Sequence, residues 1–149
     1  LVPIHSLRRL HVIVPPRGEF DPGLKHWCRR IATLAEQTAC RVSVYGEERT
    51  LRAVEGAWQA ERRSLSADFH KFTPAEGLAG VAARTRPDHM AVFVLARRGM
   101  PSYHRRLEDI PGQLERYFSA RSWMLIVPAA LGSSSSSADG RNALTLSDR

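Results

Sequence analysis

Five apolar segments along the chain have the pattern of short β-strands. The first, at residues 10–14, contains four apolar residues around His11 and ends at a pair of prolines. The segment at residues 90–96 is apolar throughout, which is typical of a central strand covered on both faces of a sheet. The other predicted strands are residues 41–45, 65–72 and 123–127.

Apolar residues between these strands fall at helical spacing, which predicts a helix in each interval. The first helix is predicted to start after Asp21, which resembles a capping residue because a proline follows it. A second helix is predicted over residues 47–63, a third after Thr73, and a fourth near Pro111. The apolar face of the first helix consists of Leu24, Trp27, Cys28, Ile31, Leu34 and Ala35.

Strict alternation of strands and helices predicts an α/β fold of the Rossmann-like kind. We expect a five-stranded, mostly parallel sheet with helices on both faces and right-handed crossovers. The domain should span residues 10–131, after a linker at residues 1–9 and before a disordered serine-rich tail at residues 132–149. Ligands of such sheets bind beyond the carboxyl ends of the strands, where the strand order reverses.

The charge of the chain is strongly basic and comes almost entirely from arginine. The formal net charge is +7, and Lys25 and Lys71 are the only lysines among 22 basic side chains. Because arginine binds phosphate and carboxylate with two parallel hydrogen bonds, the composition is compatible with an anionic partner. A basic surface that only aids solubility, or that lies near an acidic membrane leaflet, explains the charge equally well. No nucleic-acid motif accompanies the arginines, so we expect no nucleic-acid partner.

Other chemistry-bearing residues argue against an enzyme or a metal protein. Cys28 and Cys40 lack a CxxC spacing and are predicted to be buried free thiols. None of the six histidines pairs with another at metal-ligand spacing, and no Walker loop or nucleophile elbow is present. No apolar run approaches the 18 residues of a membrane span. Because the chain begins with Leu1, we expect a piece of a longer protein, although a processed start or a trimmed chain would look the same.

The stretch at residues 97–109 is the strongest candidate for a binding loop. Gly99 can adopt a positive φ, and Arg97, Arg98, Arg105 and Arg106 offer paired donors to a phosphate. Ser102 and Tyr103 add hydroxyls, while His104 could contact a ligand or titrate near neutral pH. The backbone amides of Gly112 and Gln113 lie at a predicted helix start, which favours anions. A solvated basic loop, whose helix is capped by Glu108 or Asp109, is the alternative.

The residues from Ala96 to Leu114 resemble those of the universal stress protein superfamily. Nucleotide-binding members carry Gly, two residues, Gly, nine residues, Gly and then Ser or Thr. The matching positions here are Gly99, Ser102, Gly112 and Gln113, so the spacing is kept while the second glycine and the final hydroxyl are replaced. The opening strand is similar as well, but Arg17 stands where the superfamily has an acidic residue. The resemblance covers residues 9–131.

A closer resemblance is to the stress-protein-like domain at the cytoplasmic end of monovalent cation/proton antiporters. Four segments carry it, namely Ala96-Arg97-Arg98-Gly99, Ser102-Tyr103, Ile110-Pro111 and Val127-Pro128. The resemblance implies a regulatory domain at the cytoplasmic face of the bacterial inner membrane, attached to the transmembrane antiporter (sodium or potassium/proton) domain of the same polypeptide. It also implies a homodimer formed through the last strand.

We expect any ligand to be a nucleotide: ATP, AMP or a cyclic dinucleotide. Arg17 favours a multiply anionic ligand, and its alternative is a surface arginine beside Glu19. A stand-alone dimeric module and a weak nucleotide-hydrolysing enzyme remain alternatives to the regulatory domain. The predicted ligand-binding residues are Pro15, Arg17, Tyr45, Arg97, Arg98, Gly99, Ser102, Tyr103, His104, Gly112, Gln113 and Val127.

Overall fold

The computed structural model describes residues 6–72, 77–128 and 144–146, and these residues form one α/β sheet domain. The sheet has the strand order β3-β2-β1-β4-β5-β6, and the first five strands in this order run parallel. The predicted α/β fold with a mostly parallel sheet is therefore confirmed. The strands are β1 (Arg9–Ile13), β2 (Arg41–Gly46), β3 (Ala67–Lys71), β4 (His89–Val94), β5 (Ser122–Ile126) and β6 (Leu144–Leu146).

Four α-helices of the described residues follow the first four strands. Helices α1 and α2 pack together on one face of the sheet, and α3 and α4 pack together on the other. This division follows from right-handed crossovers, because the chain moves outward from β1 to β3 and then returns to β4 and β5. The helices are α1 (Leu24–Thr38), α2 (Glu48–Ala60), α3 (Gly77–Arg84) and α4 (Ile110–Tyr117).

Alternation along the strands divides the interior into two hydrophobic clusters. Leu10, Val12 and Val14 point toward α1 and α2 and are fully or almost fully buried. On the opposite face, Phe93 and Phe118 meet edge to face below α3 and α4, with ring centroids 5.3 Å apart. Side chains on both faces of β4 are therefore buried under helices, which explains the continuous apolar sequence of this strand.

The start of α1 corrects one detail of the sequence prediction. The residue that precedes the helix is Gly23, and no side chain caps the helix start. Asp21 was predicted as the cap, but its carboxylate accepts hydrogen bonds from Ser102 instead. The cause is tertiary, since Ser102 lies 81 positions away in the sequence and no local pattern reveals it.

Both cysteines are buried and free, as predicted. The Trp58 indole donates a 2.7 Å hydrogen bond to the Cys28 carbonyl, which ties α2 to α1. The Cys40 thiol donates to the Leu7 carbonyl at 3.2 Å. Leu7 is itself buried, so the described end of the predicted linker packs against the domain.

The predicted disordered tail supplies one strand. Residues Leu144–Leu146 pair with β5 in antiparallel register, with Thr145 opposite Leu125. Strand β6 therefore covers the edge of β5, which is the edge through which a homodimer was predicted. Residues 132–143 and 147–149 lie outside the described residues, as does the predicted cap Thr73.

Candidate functional site

A cleft of about 330 Å³ opens beyond the carboxyl ends of β1, β2 and β4. Ile13, Val14 and Pro15 form its wall on the β1 side, and Phe93 and Leu95 form the wall on the β4 side. The chain moves in opposite directions from these two central strands, so the cleft occupies the switch point of the sheet. This is the position predicted for a ligand site from the order of the elements.

The walls of the cleft are mainly apolar, and its polar groups lie at the rim. Leu107 and Ile110 close the side that faces α4. His104, Arg106 and Gln113 place an imidazole, a guanidinium and an amide around the opening, and Glu47 adds a carboxylate. An apolar interior with a few polar groups at its mouth is typical of sites for small organic ligands.

The β4–α4 loop, residues 95–109, is held in place by two contacts to distant segments. The Asp21 carboxylate accepts the Ser102 backbone N–H at 3.0 Å and also the Ser102 hydroxyl. Both residues are buried, so these bonds form away from water. The Arg97 side chain donates to the Pro128 carbonyl at 3.1 Å. The loop is therefore fastened both to the chain before α1 and to the end of β5.

Glu108 binds two of the predicted ligand residues. One of its carboxylate oxygens, Oε1, accepts hydrogen bonds from Arg98 Nε at 3.0 Å, Arg98 Nη2 at 2.5 Å and the Tyr103 hydroxyl at 2.6 Å. The bond to Glu108 raises the pKa of Tyr103, and the bonds from Tyr103 and Arg98 lower the pKa of Glu108. Of the four arginines predicted to hold phosphate, Arg98 is thus bound to a side-chain carboxylate.

Of the twelve predicted ligand residues, the structure brings three to the cleft: Pro15, His104 and Gln113. Gly99 has the expected positive φ of 88°, but it lies in an exposed turn, and Gly112 is exposed on α4. Tyr45 is buried on a different part of the sheet, where its hydroxyl contacts His11. The remaining predicted residues, which do not line this cleft, are Arg17, Arg97, Arg98, Ser102, Tyr103 and Val127.

Arg17 occupies the left-handed region, with φ of 66°, directly before a short 3-10 helix at Gly18–Phe20. Its side chain is exposed, while the neighbouring Glu19 accepts a 2.7 Å hydrogen bond from Thr50. Arg17 is therefore a surface arginine, as the alternative expected, and its neighbour Glu19 is bonded to Thr50 instead. The Arg17 side chain makes no hydrogen bond or ion pair with the residues that the structure describes, while its carbonyl accepts the Phe20 backbone N–H at 3.1 Å.

Sequence reasoning missed most of the apolar wall of the cleft. Val94 is the last residue of the central strand β4 and Leu95 follows it, while Leu107 lies just before α4 and Ile110 is its first residue. A signal was available, because apolar residues just beyond the end of a parallel strand lie where the helices separate. The prediction weighted charged and hydroxyl-bearing residues, several of which instead make hydrogen bonds that hold the loop in place, namely Arg97, Arg98, Ser102 and Tyr103.

No match was found among family models, curated proteins or solved structures. The class of protein is therefore defined by the fold and the site: a Rossmann-like α/β domain with a cleft at its switch point. Within the described ranges, no helix combines the length and hydropathy that crossing a membrane requires.

Proposed function

We propose that this chain is a ligand-binding regulatory domain whose cleft holds the base and sugar of a small nucleotide. The observation that carries the proposal is the position of the cleft, between the carboxyl ends of β1 and β4 where the strand order reverses. Apolar walls suit a nucleobase, and the amide of Gln113 suits its polar edge. The volume of about 330 Å³ is at the lower end of ligand clefts, which favours a mononucleotide such as AMP.

The phosphate of this ligand would lie at the rim, beside Arg106 and His104. Arg106 is exposed and supplies a paired donor, as phosphate recognition requires. The described residues that line the cleft include no serine, threonine, cysteine or lysine. Without a hydroxyl, thiol or amine nucleophile in this lining, the proposal assigns ligand binding rather than covalent catalysis to the cleft.

A steric block of the cleft tests this function. Saturating AMP should raise the melting temperature of the wild-type chain by roughly 5–10 °C. Leu107→Trp, which fills the cleft, should remove that shift, and Leu65→Trp, in a different shallow groove, should retain it. ATP and a cyclic dinucleotide complete the panel. The proposal fails if no nucleotide gives a saturable shift, or if Leu107→Trp responds as the wild type does.

We further propose that the domain regulates a bacterial monovalent cation/proton antiporter at the cytoplasmic face of the inner membrane. The support is the sequence resemblance carried by Arg97-Arg98-Gly99, Ser102-Tyr103 and Val127-Pro128. Ligand binding would then change transport by favouring one state of the attached transporter. The test is sodium or potassium/proton exchange in vesicles that contain the complete gene product. AMP should change the exchange rate, and Leu107→Trp should abolish that response.

A further inference from the structure

A second cleft lies on the same face of the sheet as α3 and α4, on the part of that face that neither helix covers. Helix α3 has only 8 residues, and the side chains of β1, β2 and β3 beside it are polar. The cleft has a volume of about 360 Å³ and is lined by three arginines, three histidines, a tyrosine and a serine. The described lining includes no acidic residue, and a carboxylate on the same face, that of Asp68, is paired with Arg9. Such a concentration of cationic and hydrogen-bonding groups on one sheet face is the electrostatic pattern of an anion site.

The floor of this cleft is a fixed network of hydrogen bonds. The buried His11 ring contacts the Tyr45 hydroxyl through Nδ1 at 3.0 Å and His89 Nδ1 through Nε2 at 2.9 Å. The Arg86 backbone N–H donates to the same His89 nitrogen at 3.3 Å, which makes that nitrogen an acceptor. His11 Nε2 must then carry the hydrogen, and the Tyr45 hydroxyl must donate to His11 Nδ1. The floor is thus uncharged and fully hydrogen-bonded.

The cationic groups stand around this neutral floor. The Arg84 guanidinium lies over the Tyr45 ring, 5.9 Å from its centroid, and His70 stacks on the same ring with centroids 5.1 Å apart. Ion pairs among the described residues do not involve Arg84 or Arg86, whereas Arg9 already pairs with Asp68 at 3.3 Å. Two unpaired guanidiniums therefore face one polar cleft.

We propose that this open face of β1–β3 is an oxyanion site that takes the phosphate group of a small molecule or of a lipid headgroup. Arg84 and Arg86 supply paired donors, and the His70 ring supplies an N–H. A metal ion is not the occupant expected here, because no group of three or more ligating residues in the described chain is arranged to hold one.

The electrostatics of the floor agree with an anionic occupant. Burial, together with the charges of His89, Arg9, His70 and Arg84, lowers the pKa of His11 to about 4. A bound anion would offset the effect of these positive charges on His11. Binding of the anion and protonation of the histidine cluster therefore favour each other. The other groups that face the cluster are Tyr45, Asp68, Arg86 and, beside His89 at 3.6 Å, Asp88. Bound phosphate should therefore raise the pKa of His11 from this lowered value.

The test is a titration of the full chain with inorganic phosphate at constant ionic strength, followed by the ring signals of His11, His70 and His89 in nuclear magnetic resonance. We expect saturable shifts in the wild type. The double variant Arg84→Gln, Arg86→Gln should bind at least tenfold more weakly. The matched control Arg30→Gln, Arg49→Gln removes two exposed charges from α1 and α2 on the opposite face and should bind like the wild type.

Two further measurements distinguish a lipid headgroup from a small molecule as the source of the phosphate, and binding at this cleft from binding at the first cleft. Vesicles containing phosphatidic acid should bind the wild type, but not the double variant, if a headgroup is the ligand. A response to soluble phosphate alone indicates a small molecule. Leu107→Trp should bind phosphate normally, because the first cleft is separate. Shifts that increase linearly without saturation, or equal affinity in the double variant and the control, would overturn the proposal.

Discussion

The Asp21 carboxylate accepts both the backbone N–H and the hydroxyl of Ser102, and so joins the segment before α1 to the loop after β4. Both residues are buried, and no other side chain hydrogen bond to Asp21 is present among the described residues. Both segments contribute lining residues to the first cleft, among them Pro15 and His104. The pair therefore holds two lining segments of that cleft together as well as contributing to stability.

Replacing Ser102 with alanine should destabilise the domain modestly. The substitution removes the hydroxyl bond and leaves the backbone N–H on Asp21, so the free energy of unfolding should fall by about 1 kcal/mol. Asp21→Ala leaves both donors of Ser102 unpaired in a buried position and should cost about 2–3 kcal/mol. Urea unfolding measures both changes. Ser66→Ala, at an exposed position, is the control and should match the wild type. Equal stability of Asp21→Ala and the wild type would contradict this account.

Glu108→Gln should release the donors that Glu108 now occupies. Loss of the negative charge should lower the pKa of Tyr103 toward its ordinary value, because the bond to Glu108 is the main cause that raises it. Ultraviolet titration of tyrosine ionisation measures this change. Stability should change little, since the Arg98–Glu108 pair is exposed. Glu55→Gln, on the exposed face of α2, is the matched control. An unchanged Tyr103 titration would show that the hydrogen bond to Glu108 does not form in solution.

The His11 network makes the stability of the fold depend on pH. His11 has a pKa of about 4 in the folded chain and an ordinary value of 6.5 when exposed, so the unfolded chain binds more protons between these values. The free energy of unfolding should therefore rise with pH across that window, by up to roughly 3 kcal/mol, and fall as the pH decreases through it.

Unfolding by urea at several pH values between 4 and 7 measures this slope. In His11→Gln the slope should be much smaller, because the group that titrates differently in the two states is gone. His26→Gln removes a histidine that is exposed on α1 and should keep the wild-type slope. If His11→Gln keeps the full slope, another group causes the pH dependence.

The strand and helix pattern was enough to predict this architecture because its signals are local. The apolar residues of β4 and the apolar face of α1 gave the correct element types, and their alternation gave the parallel sheet. The carboxyl-end location of the first cleft followed from the same order.

The parts that sequence reasoning missed depend on distant contacts. Tyr45 was assigned to the first cleft from its position at the end of β2, but alternation places it with Ser43 on the opposite face from Val44. Whether a helix covers that face depends on the length of α3, which the pattern did not fix. The Asp21–Ser102 contact has no local signature at all.

Phe118 should be one of the most sensitive core positions. Its side chain is fully buried and packs edge to face against Phe93, anchoring the end of α4 to the sheet. Phe118→Ala should lower the free energy of unfolding by about 3–5 kcal/mol through lost burial and the cavity that it leaves. Phe20→Ala provides the matched comparison, because Phe20 is 58% exposed, and should cost little. Similar losses for both variants in urea unfolding would contradict the packing described.

The pairing of β6 with β5 determines whether the sheet can join a second copy through its last parallel strand. Because β6 occupies the hydrogen-bonding edge of β5, the full chain should not dimerise through that edge. A chain that ends at Pro128 exposes the edge and should form dimers as its concentration rises. Thr145→Pro tests the same point without truncation, since proline opposite Leu125 weakens the antiparallel pairing. Light scattering at several concentrations measures the mass of each chain. The opposite result would be a full chain that is dimeric at low concentration and a shortened chain that stays monomeric. That result would contradict the claim that β6 blocks dimerisation, and β6 itself would then be the dimer contact.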